Sequence, residues 1–254
     1  MKALVLAAGR GTRLGDLTKD KPKAVLQVGS RPILDYILHA CQSVDVEELV
    51  LVVGYREKVL RDHVGEGQEW GFEVSYVTNP KSRVTENAYS VFLAREQLQR
   101  RRFLLVNADT LFHPGIAVAL TERQRSRAIL AVDMEKKLGR EEMKVIVDGS
   151  QVTEISKELE PQRADGEYIG VALVQEPRLF YESLAEALRE QGPQIYYEEA
   201  FAQMARSGIS PYAESTKGLP WIEVDTPDDL REARTTVAPL LATSIEEGER
   251  ESSV

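Results

Sequence analysis

Cysteine is almost missing from these 254 residues: Cys41 stands alone, so no disulfide can close within the chain. Histidine is scarce too. His39, His63 and His113 fall in helix or loop patterns with no nucleophile or metal motif around them, which leaves all three structural or exposed. Long apolar runs are absent. The stretch from Ala3 to Ala8 is far below the roughly 18 residues that a membrane span needs. It also breaks too early, into a glycine loop, to serve as a signal peptide. A positive excess is lacking as well, since 32 Lys+Arg face 41 Asp+Glu, for a formal net charge of −9. That balance argues against nucleic-acid binding by general phosphate attraction. What remains is an expected cytoplasmic protein with no membrane and no nucleic-acid partner. At 43% hydrophobic residues it has ample material for a buried core.

The chain carries no internal repeat. Its first half alternates apolar strands with helices. Leu4-Val5-Leu6 runs into Ala7-Ala8-Gly9, and Pro32 opens a helix with apolar residues at 33, 34, 37, 38 and 41. Strands are expected at 48–53, 72–77 and 103–106, with a helix over 87–99 between the last two. Continuous apolar strands alternating with helices imply a parallel sheet covered on both faces. After about residue 127 strands dominate, at 128–132, 144–147, 152–155 and 168–174. Helices return at 178–189 and 198–206, then a strand at 221–224. Thr226-Pro227-Asp228-Asp229 reads as an N-cap, a first-turn proline and a capping box. The expectation is one α/β domain over 1–242 with a mixed second half, and a disordered, Glu- and Ser-rich tail over 243–254.

Three features bear chemistry. Ala7-Ala8-Gly9-Arg10-Gly11-Thr12-Arg13-Leu14 places a glycine loop after the first strand, where backbone N–H groups can approach an anion. Leu14 holds the place of a third glycine, so this is not the dinucleotide fingerprint; no Gly-Lys-Ser/Thr follows, so it is not a Walker loop. A lone Gly-x-Gly is more often a tight turn. Here, however, Arg10, Arg13, Lys19, Lys21 and Lys23 arrive within fourteen residues against only Asp16 and Asp20. Arg13 can grip phosphate oxygens as a fork and Lys23 as a point charge. Asp109 and Asp225 each end an apolar strand, where open parallel sheets bind ligands. Either alone could be a cap or turn residue. Together they suit Mg²⁺, which takes one or two carboxylates plus substrate phosphates.

Residues 6–14 with Lys21-Pro22-Lys23 make the chain resemble the sugar-phosphate nucleotidyltransferase family. The likeness continues through Gly54-Tyr55, Asn79-Pro80, Asn107-Ala108-Asp109 and Trp221 to Pro227, up to about residue 235. It implies a Rossmann-like nucleotidyltransferase (GT-A-like) three-layer α/β fold with a mixed, mostly parallel central sheet. It also implies conversion of an NTP and a phosphorylated acceptor to an NDP-linked product and pyrophosphate, with Mg²⁺ as cofactor. By that resemblance Leu6, Ala7, Ala8, Gly9, Gly11 and Thr12 wrap the nucleotide, with Asn79, Thr85, Asn87 and Ala108 beside it. Arg13 and Lys23 are the catalytic cations, and Asp109 and Asp225 hold the metal.

In the middle of the chain, the segments Thr85–Ser90, Glu142–Val145, Ile155–Lys157 and Gly166–Gly170 are similar to a cytidylyltransferase branch. That branch implies CTP and a small acceptor such as inositol 1-phosphate, phosphocholine or aminoethylphosphonate. Lys144, Lys157, Glu167 and Glu198 are then the acceptor-side candidates. The cluster Tyr196-Tyr197-Glu198-Glu199 has two readings, a seat for an ammonium group or simply an acidic helix opening. Uridylyl, thymidylyl or guanylyl transfer to a hexose 1-phosphate is an alternative, as is a catalytically silent nucleotide-binding homologue. A glycosyltransferase would more naturally carry Asp-x-Asp where this chain has Asn107-Ala108-Asp109. A homodimer is open, since Leu240-Leu241 suits core or interface equally.

Overall fold

The computed structural model describes residues 1–123 and 126–251. β1 (Lys2–Ala7) opens the chain, with Ala3 and Val5 packed on one side of the sheet and Leu4 on the other. β2 (Gln27–Val28) and β3 (Arg31–Pro32) form a small antiparallel ribbon. It leads into α1 (Ile33–Gln42), whose stripe Ile33, Leu34, Ile37, Leu38 and Cys41 is buried, as the helical spacing requires. β4 (Glu48–Val53), α2 (Glu57–Val64), β5 (Glu73–Thr78), α3 (Asn87–Leu93), α4 (Arg95–Leu98) and β6 (Phe103–Asn107) follow. The helix expected over 87–99 is thus in two pieces. Ala94 donates its N–H to the Val91 carbonyl at 3.1 Å, a tight three-residue step that ends α3.

β7 (Thr110–Phe112) and α5 (Pro114–Glu122) come next; the His113 ring caps α5 by accepting from Gly115 N–H at 3.0 Å. Then come β8 (Ala128–Asp133), β9 (Lys144–Asp148), β10 (Gln151–Ser156), β11 (Gly166–Val174), α6 (Pro177–Gln191) and α7 (Glu198–Arg206). β12 (Tyr212–Ser215), β13 (Trp221–Glu223), α8 (Pro227–Glu232) and α9 (Ala238–Glu251) complete the chain. The capping box at Thr226 and Asp229 forms as read. The segment expected to fray beyond residue 242 continues α9 to Glu251, anchored by Leu241 and Ile245, which are buried. Residues 252–254 of that expected tail lie outside the described residues. Leu240 is exposed and Leu241 buried.

The main sheet runs β5-β4-β1-β6-β11-β8-β12-β10-β9. β5, β4, β1 and β6 pair in parallel, and so do β8 and β12, while β11 and β10 run against their neighbours. The sheet is therefore mixed, with most strands pointing one way. One apolar layer joins α1, α5 and α8 to the face carrying Val5, Leu51 and Val106. The other joins α3, α6 and α7 to the face carrying Leu4, Val52 and Leu105. This three-layer arrangement buries both faces of the central strands, which explains their unbroken apolar sequences. No helix among the described residues is long and apolar enough to cross a membrane.

Candidate active site

The carboxyl ends of β1 and β6 open on a cleft of about 420 Å³, within the range of small-molecule sites. Its floor begins where β1 gives way to the glycine loop. Gly11 has φ +69°, and a Cβ there would come within 3.0 Å of Lys23 Cβ. Both the backbone conformation and the close approach of Lys23 therefore require glycine. The Thr18 hydroxyl donates to the Gly11 carbonyl at 2.9 Å and closes the loop's far side.

Two distant segments are zipped together at the cleft's edge. β13 pairs antiparallel with β7, Glu223 opposite Thr110, and Val224 N–H donates to the Asp109 carbonyl at 2.9 Å. That ladder sets Asp109 beside Asp225. Lys23 Nζ lies between them, 2.8 Å from Asp109 Oδ2 and 2.7 Å from Asp225 Oδ1. Arg13 Nη2 reaches Asp225 Oδ2 at 2.5 Å. Burial pulls the Lys23 pKa down, but the charges and hydrogen bonds of the two aspartates outweigh it and keep the ammonium firmly protonated. At Asp225 burial works upward, while Lys23, Arg13 and Lys157 prevail and hold the carboxyl below its usual range.

A third carboxylate, Glu223, joins the two aspartates: one oxygen from each lies within 4.8 Å of the others. Desolvation and then the charges of Asp109 and Asp225 push the Glu223 carboxyl up. Asp109 Oδ1 is buried with no hydrogen-bond partner among the described residues. An oxygen-only donor set with an unused buried lone pair fits a hard divalent cation. The sequence reading missed Glu223. It precedes Asp225 by two residues on an extended segment, a spacing that puts both side chains on one side.

The cleft gathers most of the expected residues. Leu6, Ala8, Gly9, Gly11, Thr12, Arg13 and Lys23 line it, as do Asn79, Thr85, Asn87, Asp109, Lys157, Glu198 and Asp225. Ala7 and Ala108 do not. Ala7 faces the apolar layer by strand alternation, and Ala108, also in that layer, donates its N–H to the Leu6 carbonyl at 3.3 Å. Asn79 is buried and organises the loop that follows it: its amide donates to Ser90 Oγ at 2.9 Å and accepts from Lys81 N–H at 2.8 Å. Asn87 Oδ1 accepts from Tyr197 N–H at 2.8 Å, tying α3 to the residue before α7.

One acceptor-side expectation needs correction, and a second residue stands in a hollow beside the cleft. Lys144 does not reach the cleft; it is fully buried beneath the 136–143 loop, donating to the Arg140 and Glu142 carbonyls at 2.9 Å each. Glu167 faces an adjoining hollow, where Lys136 Nζ lies 2.7 Å from its Oε2 and over the Trp221 ring. Burial raises its pKa and Lys136 only partly restores it. Lys157 borders both hollows. Ser82, Glu86, Glu141, Met143 and Tyr168 also line the cleft, as does Tyr196 from the aromatic and acidic cluster. Gly170 is another: its φ is +78° and a Cβ would meet Asn107 Nδ2 at 2.6 Å.

A family model described as "Nucleotidyl transferase" matches residues 2–238. The chain belongs to the nucleotidyl transferase family. Among curated relatives, CMP-5'-(3-aminopropyl)phosphonate synthase of Streptomyces rubellomurinus is 32% identical over 94% of the chain and 39% of the relative. The bifunctional IPC transferase and DIPP synthase of Aquifex aeolicus is 30% identical over 91% of the chain and 50% of the relative. The chain thus spans half the length or less of these two proteins. Among solved structures, the inositol-1-phosphate CTP transferase from T. maritima superposes with a TM-score of 0.82 at 26% identity. That match covers 97% of this chain and 96% of the other.

Proposed function

We propose that this chain is a nucleotidyltransferase that moves a cytidylyl group from CTP to a small phosphorylated or phosphonate acceptor and releases pyrophosphate. The observation that carries this reading is Lys23, held protonated between Asp109 and Asp225 under a glycine loop that also presents Arg13. The named activities of the aminopropylphosphonate, IPC and inositol-phosphate relatives favour the cytidylyl form and a small acceptor.

The chemistry needs no side-chain nucleophile, since the acceptor's own anionic oxygen attacks the α-phosphorus and pyrophosphate leaves in line. This chain's task is to position and to neutralise charge. The glycine loop supplies backbone donors to the phosphates, and Arg13 adds a forked donor at their outer end. Lys23 stands where charge builds on the α-phosphoryl oxygens. Asp109, Asp225 and Glu223 would hold Mg²⁺, which supplies Lewis-acid neutralisation of phosphate charge when bound. Lys157 meets the acceptor's phosphate end from the other side of the cleft.

The test is pyrophosphate release with Mg²⁺, crossing CTP, UTP, dTTP, GTP and ATP with inositol 1-phosphate, phosphocholine, aminoethylphosphonate and hexose 1-phosphates. Release with CTP and one small acceptor supports the reading. Release only with another nucleotide and a hexose phosphate keeps the chemistry and overturns the cytidylyl assignment.

A further inference from the structure

The phosphate end of an acceptor has cationic partners in the cleft. The other end meets a different surface. Lys157 holds its ammonium 4.9 Å over the Tyr196 ring. In the same cleft lies Glu198, the first residue of α7, with 5% of its surface exposed. Its Oε2 is buried and has no hydrogen-bond partner among the described residues. A carboxylate oxygen taken out of water without a donor is costly, and a folded chain keeps one only where something else satisfies it.

The helix-opening role does not account for this. Glu199 also places a carboxylate in the first turn, and it does so toward solvent, with Gln191 and Arg206 as partners. The adjacent hydroxyls do not fill this need: Tyr168 and Tyr197 share one hydrogen bond at 2.9 Å, the Tyr197 hydroxyl also supports the carboxylate, and Oε2 still has no partner among the described residues. Burial pushes the Glu198 carboxyl up to about 7, against its own backbone N–H, Lys157 and the Tyr197 hydroxyl, which pull it down. A cation arriving beside it would favour the ionised form.

Resting on the nucleotidyl-transfer reading for the phosphate end, we propose that Glu198 selects an acceptor whose far end is a protonated primary amine, so that the acceptor lies as a zwitterion between Lys157 and Glu198. Two neighbouring chemistries fit less well. A quaternary ammonium brings charge but no N–H for Oε2, and the Tyr196 face that would favour it already carries Lys157. A polyol brings a donor but no charge to balance the carboxylate. A primary ammonium supplies both, three N–H donors and a full positive charge.

Titration calorimetry on the full chain tests this without turnover, using Mg²⁺ and an α,β-methylene analogue of CTP that cannot transfer its cytidylyl group. Three matched probes differ only at the far end: O-phosphoethanolamine, phosphocholine and hydroxyethyl phosphate. The expected result is that the amine binds at least about tenfold more tightly than either other probe, as for a site built around a donor. Glu198→Gln abolishes that preference, and Glu198→Asp, which keeps the charge, retains part of it. Thermal unfolding of both variants separates a lost subsite from a lost fold. Equal or tighter binding of phosphocholine or hydroxyethyl phosphate overturns the proposal, as does a preference that survives Glu198→Gln or a wild-type chain that binds no probe. Pyrophosphate release from CTP, followed in parallel, keeps the two readings apart. An amine preference with no release would leave the subsite standing and remove nucleotidyl transfer.

Discussion

Val224 N–H donates to the Asp109 carbonyl at 2.9 Å, and this bond extends the β7–β13 ladder by one step. Two aspartates that are far apart in the chain are thereby fixed on either side of one lysine, Lys23. The separation is set by backbone hydrogen bonds, so the side chains can be altered without moving the strands that carry them.

Asp109→Asn and Asp225→Asn should therefore each preserve the fold while cutting Mg²⁺-supported pyrophosphate release by roughly 10²-fold or more, the scale of losing a charge partner of the reacting phosphates. Initial rates over a Mg²⁺ titration, with thermal unfolding as the control, check this. Near-normal turnover in a variant lacking both carboxylates would contradict the metal assignment.

Lys23→Met should lower kcat on the order of 10²-fold with a smaller change in the KM for CTP, because its charge matters most where phosphoryl charge develops. A rise in KM alone would assign Lys23 to uniform substrate binding instead.

Gly11→Ala tests the loop. The left-handed φ costs an L-residue about 1–2 kcal/mol, and the new Cβ falls 3.0 Å from Lys23 Cβ. The melting temperature should drop by a few degrees and activity should fall further than stability does, as Lys23 is displaced. A variant as active and as stable as wild type would refute the close approach.

Lys144→Met leaves the Arg140 and Glu142 carbonyls without their buried donor. A loss on the order of 1–3 kcal/mol is expected, together with faster proteolysis inside 136–143. Denaturant midpoints and limited digestion read the two effects, and unchanged values for both would remove Lys144 from its place under the loop.

Stability should also carry a histidine signature. The hydrogen bond to Asp35 at 2.6 Å, working against burial, raises the His63 pKa above its usual 6.5. A raised folded-state value means the pair's contribution is fully present below about pH 6.5 and fades as pH climbs through the folded value. The melting-temperature gap between wild type and His63→Gln should thus be widest in mild acid and narrow toward pH 8. A gap that widens with pH would reverse the sign and the assignment.

The sequence made the parallel half of the fold legible because β1, β4 and β6 are buried on both faces and so are apolar except at one end, where Lys2, Glu48 and Asn107 stand. It hid α2 and α5, where Glu57–Val64 buries only Leu60 and Val64, and α5 is apolar nearly all round. The glycine loop and its cations were readable because they are contiguous. Glu223 was not, since its importance depends on β13 meeting β7 across half the chain. Lys144 misled for the opposite reason: a lysine at a strand start reads as exposed, and only the fold shows it capping carbonyls from below.

The most direct measurement is ³¹P NMR of the full chain with Mg²⁺, CTP and an aminoalkylphosphonate. The account predicts loss of the CTP triphosphate resonances, growth of pyrophosphate, and a coupled pair of resonances joining the cytidylyl phosphorus to the acceptor phosphorus. Unchanged CTP, or inorganic phosphate with no coupled pair, would contradict it.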